Sequence, residues 1–205
     1  MGATILANWL QPVVLRGRHA QLEPLQATHA DELALAAADG ELWKAWYTTV
    51  PSPADAADYV AVALEQQFAG TALPFAVRDA AGVVVGCTRY CQAEARHRRL
   101  EIGYTWYARR AQRTALNTEA KRLLLAHAFE TLGCIAVEFR THWHNRRSRQ
   151  AIERLGAKQD GVLRNHMVMP DGTIRDTVVY SVLESEWPTV RRNLDAMLDA
   201  ERSDA

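Results

Sequence analysis

The chain has 205 residues, with 48% hydrophobic and 23% charged content, which is ordinary for a soluble globular protein with a sizeable core. Its 24 basic and 24 acidic residues cancel, so it lacks the basic excess of a dedicated nucleic-acid binder. Three cysteines are too few for a disulfide scaffold, and no apolar run reaches membrane-spanning length.

In chain order, 13–16 and 21–25 read as short extended pieces around Gly17. Thr28 with Asp31 opens a helix to about Ala38. The loop 40–51 carries Trp43, Trp46 and Tyr47, candidates for one wall of a substrate pocket. Ser52-Pro53-Ala54-Asp55 is a capped helix start with proline at the first helical position, and that helix stops at Gly70. Strands at 73–78 and 83–90 form a hairpin over Asp79–Gly82. A polar connection, 92–98, leads to a strand at 100–106, a basic turn at 108–115, and a helix from about Asn117, its expected cap, to Leu132. A strand at 135–142 follows, and then a helix capped by Asn145 that ends at Gly156. A second hairpin (162–169 and 174–183) precedes a C-terminal amphipathic helix, 185–200, capped by Ser185.

Charge is unevenly placed. Residues 89–122 hold nine Arg or Lys against three Glu, and 140–149 add four Arg with no acid. Both clusters surround a turn that opens a helix, where unpaired N–H groups and the helix dipole favour an anion. The antiparallel hairpins exclude an all-parallel doubly wound sheet, and no G-x-G-x-x-G is present. His142-x-His144 has a spacing that some zinc sites use, but no third ligand is evident, so no metal is expected. Cys87, Cys91 and Cys134 read as structural thiols. The start, MGATILANWLQPVVLRG, has no charged-then-apolar leader pattern. One domain over 1–205, with its core at about 13–187, in the cytoplasm, is expected.

Three segments, Leu100-Glu101-Ile102-Gly103-Tyr104, QRTALNTEAKRLLL from Gln112, and Asn145–Gly156 with Gly161-Val162-Leu163-Arg164, together resemble the GNAT superfamily of acetyl-CoA-dependent N-acetyltransferases. The branch they are most similar to is the ribosomal-protein (RimJ/RimL-type) one. The resemblance implies an α/β fold: a central mixed, mostly antiparallel sheet of about seven strands with helices on both faces. It also implies acetyl-CoA as cosubstrate, with no metal, and a primary amine acceptor on a protein N-terminus or a small molecule. Cofactor contacts fall on Thr105 and Trp106 in the strand, on Gln112, Arg113, Thr114, Ala115, Leu116 and Asn117 in the turn, and on Asn145 and Ser148. Gln112 matches the first position of the Gln/Arg-x-x-Gly-x-Gly/Ala cradle, whereas Ala115 and Asn117 stand where glycine or alanine is usual. Ser148 is implied as the acid that protonates the departing thiolate. Glu101, at the head of the strand along which the thioester would lie, is the candidate base. The ribosomal-protein serine enzymes are thought to use a Glu where Met167 stands here, so His166 beside it is a second candidate and a pocket residue. Two other readings stand beside this one: a CoA-binding partner module without turnover, and nucleic-acid binding through 140–154, where Trp143 interleaves with arginines. A monomer or homodimer that binds neither nucleic acid nor membrane is expected.

Overall fold

The computed structural model describes residues 9–203; residues 1–8, which head the stretch read for targeting, and 204–205 lie outside the description. Eight strands form one sheet: β1 (Leu15–Arg16), β2 (Ala20–Pro24), β3 (Leu73–Asp79), β4 (Val84–Glu94), β5 (Arg99–Tyr107), β6 (Ala136–His142), β7 (Lys158–Val168) and β8 (Ile174–Leu183). Their spatial order is β1-β2-β3-β4-β5-β6-β8-β7. Among these pairs only β5 and β6 run parallel. The expected mixed, mostly antiparallel sheet is present, with eight strands against about seven expected.

The helices are α1 (Ala30–Ala38), α2 (Ala56–Phe68), α3 (Ala115–Ala126), α4 (Arg146–Arg154) and α5 (Trp187–Ser203). Paired residues across strands share a face, which sorts the layers. Tyr90 pairs with Ile102 and donates from its hydroxyl to the Leu124 carbonyl of α3 at 2.6 Å, so Leu100 and Ile102 face α3. Arg89 and Cys91 pair with Gly103 and Glu101 and face the other way, where Tyr59 of α2 stacks on Arg89. The alternation of apolar Leu100 and Ile102 with Glu101 thus puts the carboxyl on the sheet face opposite α3. On the core side Leu124, Leu125, Val137, Val178, Tyr180 and Leu194 are wholly buried.

Helix α3 begins earlier than expected. Thr114, with extended backbone, caps it by accepting from the Leu116 N–H, and Asn117 is its third residue. The helix is pinned by Glu119, whose carboxylate accepts the backbone N–H groups of Arg18 (2.9 Å), His19 (2.5 Å) and Ala20 (2.7 Å). It ends in one π-turn, His127–Thr131, ahead of Gly133. Strand β7 starts at Lys158 rather than 162, and β4 runs on to Glu94. The last helix begins at Trp187, two residues after the expected Ser185 cap.

Candidate active site

The site is organised by the parting of β5 and β6. Their ladder covers only Arg99–Glu101 against Ala136–Glu138, although β5 continues to Tyr107 and β6 to His142. The cause lies in β5 itself. Between the pairs Arg89↔Gly103 and Cys87↔Trp106 it has one residue more than β4, a bulge at which Tyr104 takes left-handed φ of 52°. Tyr104 is held there by the Arg89 guanidinium, 4.0 Å from its ring centroid, with Tyr59 at 5.2 Å from the same guanidinium. Behind the bulge, Thr88 and Thr105 share a 2.7 Å hydrogen bond, and the buried Lys121 Nζ donates to the Thr105 hydroxyl at 2.6 Å. Beyond the fork, the backbone of β5 is without a β6 partner and can pair with a ligand instead.

Glu101 stands at the fork. Its carboxylate accepts no hydrogen bond from a described residue and lies 3.6 Å from Arg140 Nε. Burial pushes its pKa up to about 7; the Glu138 carboxylate adds to this, while Arg140 and Arg175 oppose it. On the same face run Glu138, Arg140 and His142 of β6, and Thr177 with Arg175 of β8. His142 is buried; its Nδ1 accepts the His144 N–H at 3.0 Å, and its Nε2 has no partner among the described residues. Burial, Arg175 and His144 lower its pKa, so the ring is neutral near pH 7, with its proton on Nε2. Trp46 packs edge-on to His142 at 5.0 Å, and Tyr47 lies 6.3 Å from it. His166 lies in a bulge of β7 that turns its Nδ1 to the Thr177 hydroxyl at 3.1 Å.

At the far end of β5, Arg113 supplies the turn with left-handed φ of 61°. It is exposed and pairs with no carboxylate among the described residues, whereas Arg110 pairs with Asp39 at 3.2 Å. Ala115 is helical and buried, so a turn with no glycine still forms a regular helix start, in which Thr114 takes the Leu116 N–H. Across the fork, Asn145 caps α4 by accepting the Ser148 N–H at 3.1 Å. The Ser148 hydroxyl, half-buried, makes no hydrogen bond within the described chain.

A family model for the acetyltransferase (GNAT) domain matches residues 20–158, more than half of the chain. The chain belongs to the GNAT acetyltransferase family. The crystal structure of a GCN5-related N-acetyltransferase from Brucella melitensis is 32% identical, with a TM-score of 0.82 over 92% of this chain and 86% of that one. The Bacillus subtilis (strain 168) protein named "Putative ribosomal N-acetyltransferase YdaF" is 35% identical over 91 residues, 44% of this chain and 49% of that protein. This chain therefore aligns with about half the length of that curated relative. Mycobacterium smegmatis RimJ, solved with CoA-disulfide, shares the fold at 20% identity, TM-score 0.75, over 93% of this chain and 96% of its own.

Within this GNAT domain the structure brings Glu101, Trp46, Tyr47 and His166 to one side of the fork and Arg113–Asn117, Asn145 and Ser148 to the strand and helix ends that flank it. Trp43 makes no ring contact with that group; Lys44 lies over it at 5.3 Å. Trp106 is a core residue whose ring packs on Tyr59. The Gln112 amide is committed to the Tyr107 carbonyl at 2.8 Å, which ties the turn to the strand end. The expected arginine–aromatic interleaving after β6 is closed on itself: Arg149 stacks on Trp143 at 4.4 Å, and Arg154 donates to Thr118 at 3.2 Å. Sequence reasoning missed Lys121, Arg175 and Thr177. A signal existed for Lys121, which shares a helical stripe with the fully buried Leu125 and Ala128.

Proposed function

We propose that this protein transfers the acetyl group of acetyl-CoA directly to a primary amine, both bound in one ternary complex. The observation that carries the reading is the fork between β5 and β6 with a half-buried, high-pKa carboxyl at its apex. Acetyl-CoA supplies the activated acyl group as a thioester. Arg113 and the N–H groups of the α3 start that Thr114 does not cap suit its pyrophosphate, each charge-assisted contact being worth roughly 1.5–3 kcal/mol. Unpaired N–H groups of β5 can polarise the thioester carbonyl, and the fork holds the two reactants in register. The Asn145 amide N–H group is left to meet the pantetheine arm, and the unbonded Ser148 hydroxyl to protonate the departing thiolate.

An acceptor must lose a proton before or during attack. An α-amine titrates near ~7.7–8.0 and a lysine near ~10.4, so a carboxylate with pKa near 7 is well matched as the receiving base. Glu101 takes that role in our reading, and His166, engaged with Thr177, orients the far wall. The names of the B. subtilis and M. smegmatis relatives support a protein N-terminus as acceptor, with a small-molecule amine as the other source. Acetyl-CoA and reduced, buried thiols fit a cytoplasmic setting.

Calorimetry with acetyl-CoA, followed by thiol release with an amine panel, tests the reading. Binding that is lost in Arg113→Glu, and amine-dependent turnover that is lost in Glu101→Gln and reduced in Ser148→Ala, is the expected result. Absence of acetyl-CoA binding at millimolar concentration sinks it, and binding without turnover leaves the non-catalytic module instead.

A further inference from the structure

We propose that the acceptor of this acetyltransferase carries a carboxylate next to its primary amine, and that Arg175 receives it. The inference rests on the acetyl-transfer reading above and adds the substrate class. Arg175 projects from β8 on the same sheet face as Glu101, half-buried, and is fixed by donating from Nε to the Thr177 hydroxyl at 2.8 Å. Thr177 is itself wholly buried, and its hydroxyl also meets His166. The other guanidinium nitrogens of Arg175 hydrogen-bond to no described residue, and no carboxylate lies within ion-pair distance among the described residues. The Glu101 carboxyl acts on it only at longer range.

The charge count on this strip favours the same ligand. Arg99 and Arg140 are matched by Glu138 and Glu101; of the two cations left without a carboxylate among the described residues, Arg89 is buried under Tyr59 and Tyr104, and Arg175 is the half-buried one. A purely cationic acceptor meets a positive field there. One that bears a carboxylate beside its amine places the amine at Glu101 and the carboxylate at Arg175, where a planar fork of donors suits two oxygens. The unpartnered Nε2–H of buried His142 is a second donor on the strip, and Trp46 and Tyr47 against that ring offer an apolar wall for the rest of the molecule. A free amino acid and a chain that begins with an acidic residue present the same chemistry.

The experiment compares kcat/KM for phenylalanine against phenylalaninamide, and for an Asp-Phe peptide amide against its Asn-Phe counterpart, in wild type, Arg175→Met and Arg175→Lys. Amine basicity differs between acid and amide but is the same for every enzyme, so the readout is the change in the acid-to-amide ratio. That ratio is expected to fall about tenfold to a hundredfold in Arg175→Met and to recover in part in Arg175→Lys. The pair that shows the fall tells a free amino acid from an acidic chain start. Ratios equal in wild type and Arg175→Met for both pairs overturn the proposal. If no amine is turned over, equilibrium binding of the four probes in the presence of CoA decides: carboxylate-selective binding lost in Arg175→Met upholds it, and no selectivity overturns it. That arm separates failure of this inference from failure of acetyl transfer itself.

Discussion

The carboxyl of Glu101 lies over Gly103: a methyl group at residue 103 would stand 2.8 Å from Glu101 Oε1 and 3.1 Å from Cys91 Sγ. Gly103 is not in the left-handed region, so what it contributes is space rather than backbone freedom. Gly103→Ala should therefore leave the strand intact and displace the flexible end of Glu101. A shift of that size at a proton acceptor costs about tenfold to a hundredfold in kcat, while affinity for acetyl-CoA holds. Steady-state kinetics beside calorimetry checks this; an unchanged kcat would show that the carboxyl has no fixed task.

The raised pKa of Glu101 has consequences for rate and for stability. With the ionised form as base, kcat/KM should climb as pH rises through about 7, and Glu101→Gln should abolish that limb with a loss of about 10²–10⁴. For stability the sign is opposite. A carboxyl with pKa near 7 folded and 4.5 unfolded favours the folded state below pH 4.5, and that contribution is lost as pH rises to 7. Above pH 7 the variant should then be the more stable protein, by at most about 3 kcal/mol. Denaturant titrations at pH 4 and pH 8 check this: the variant's advantage should be near zero at the first and fullest at the second.

Much of this fork was legible from strand alternation and capping chemistry. Leu100 and Ile102 flank Glu101 in a two-residue repeat, which fixes its face, and Ser52-Pro53 and Asn145 mark real helix starts. The turns that matter most were hidden because they lack the glycine that usually announces left-handed backbone. Tyr104 and Arg113 both adopt it, the first under a guanidinium stack and the second in a turn tied by Gln112. Asn117 looked like the cap because its type favours that position, yet Thr114 takes it. Arg175 could not be singled out, because its significance lies in having no carboxylate partner among the described residues, and sequence does not show partners.

Lys121 makes the opposite bargain to an ordinary surface lysine. It is buried with no carboxylate beside it among the described residues, and burial lowers its pKa to about 7. A lysine that titrates near 10.5 unfolded and near 7 folded weakens the folded state at neutral pH, and the cost fades as pH rises toward 10.5. Its return is the bulge: Nζ reaches Thr105 at 2.6 Å and Thr88 at 3.4 Å, and the Thr88 hydroxyl donates to the Gly103 carbonyl at 3.4 Å. Lys121→Met should stabilise the protein at pH 7 by about 3 kcal/mol, once about 1 kcal/mol for each lost hydrogen bond is deducted from a shift worth about 5. It should lower kcat at the same time, because the bulge loses its clamp. Loss of stability together with full activity would argue that Lys121 only fills the core.

The last relationship joins the turn that we assign to the cofactor to the start of the sheet. Three backbone donors of the β1–β2 turn converge on the Glu119 carboxylate, and a methyl group at Gly17 would lie 2.3 Å from it. Glu119 sits in the second turn of α3, five residues after the Thr114 cap, so this contact fixes the helix whose first turn we assign to the pyrophosphate. Glu119→Gln keeps the shape but turns one acceptor oxygen into an N–H₂ group that faces N–H groups. The expected cost is about 3 kcal/mol, since charge-assisted acceptors are lost and buried donors are left unpaired. Gly17→Ala should reproduce the defect from the other side by evicting the carboxylate. Both variants should weaken acetyl-CoA binding by calorimetry in proportion to their loss of stability. Destabilised variants that bind as wild type would separate the α3 anchor from the cofactor site.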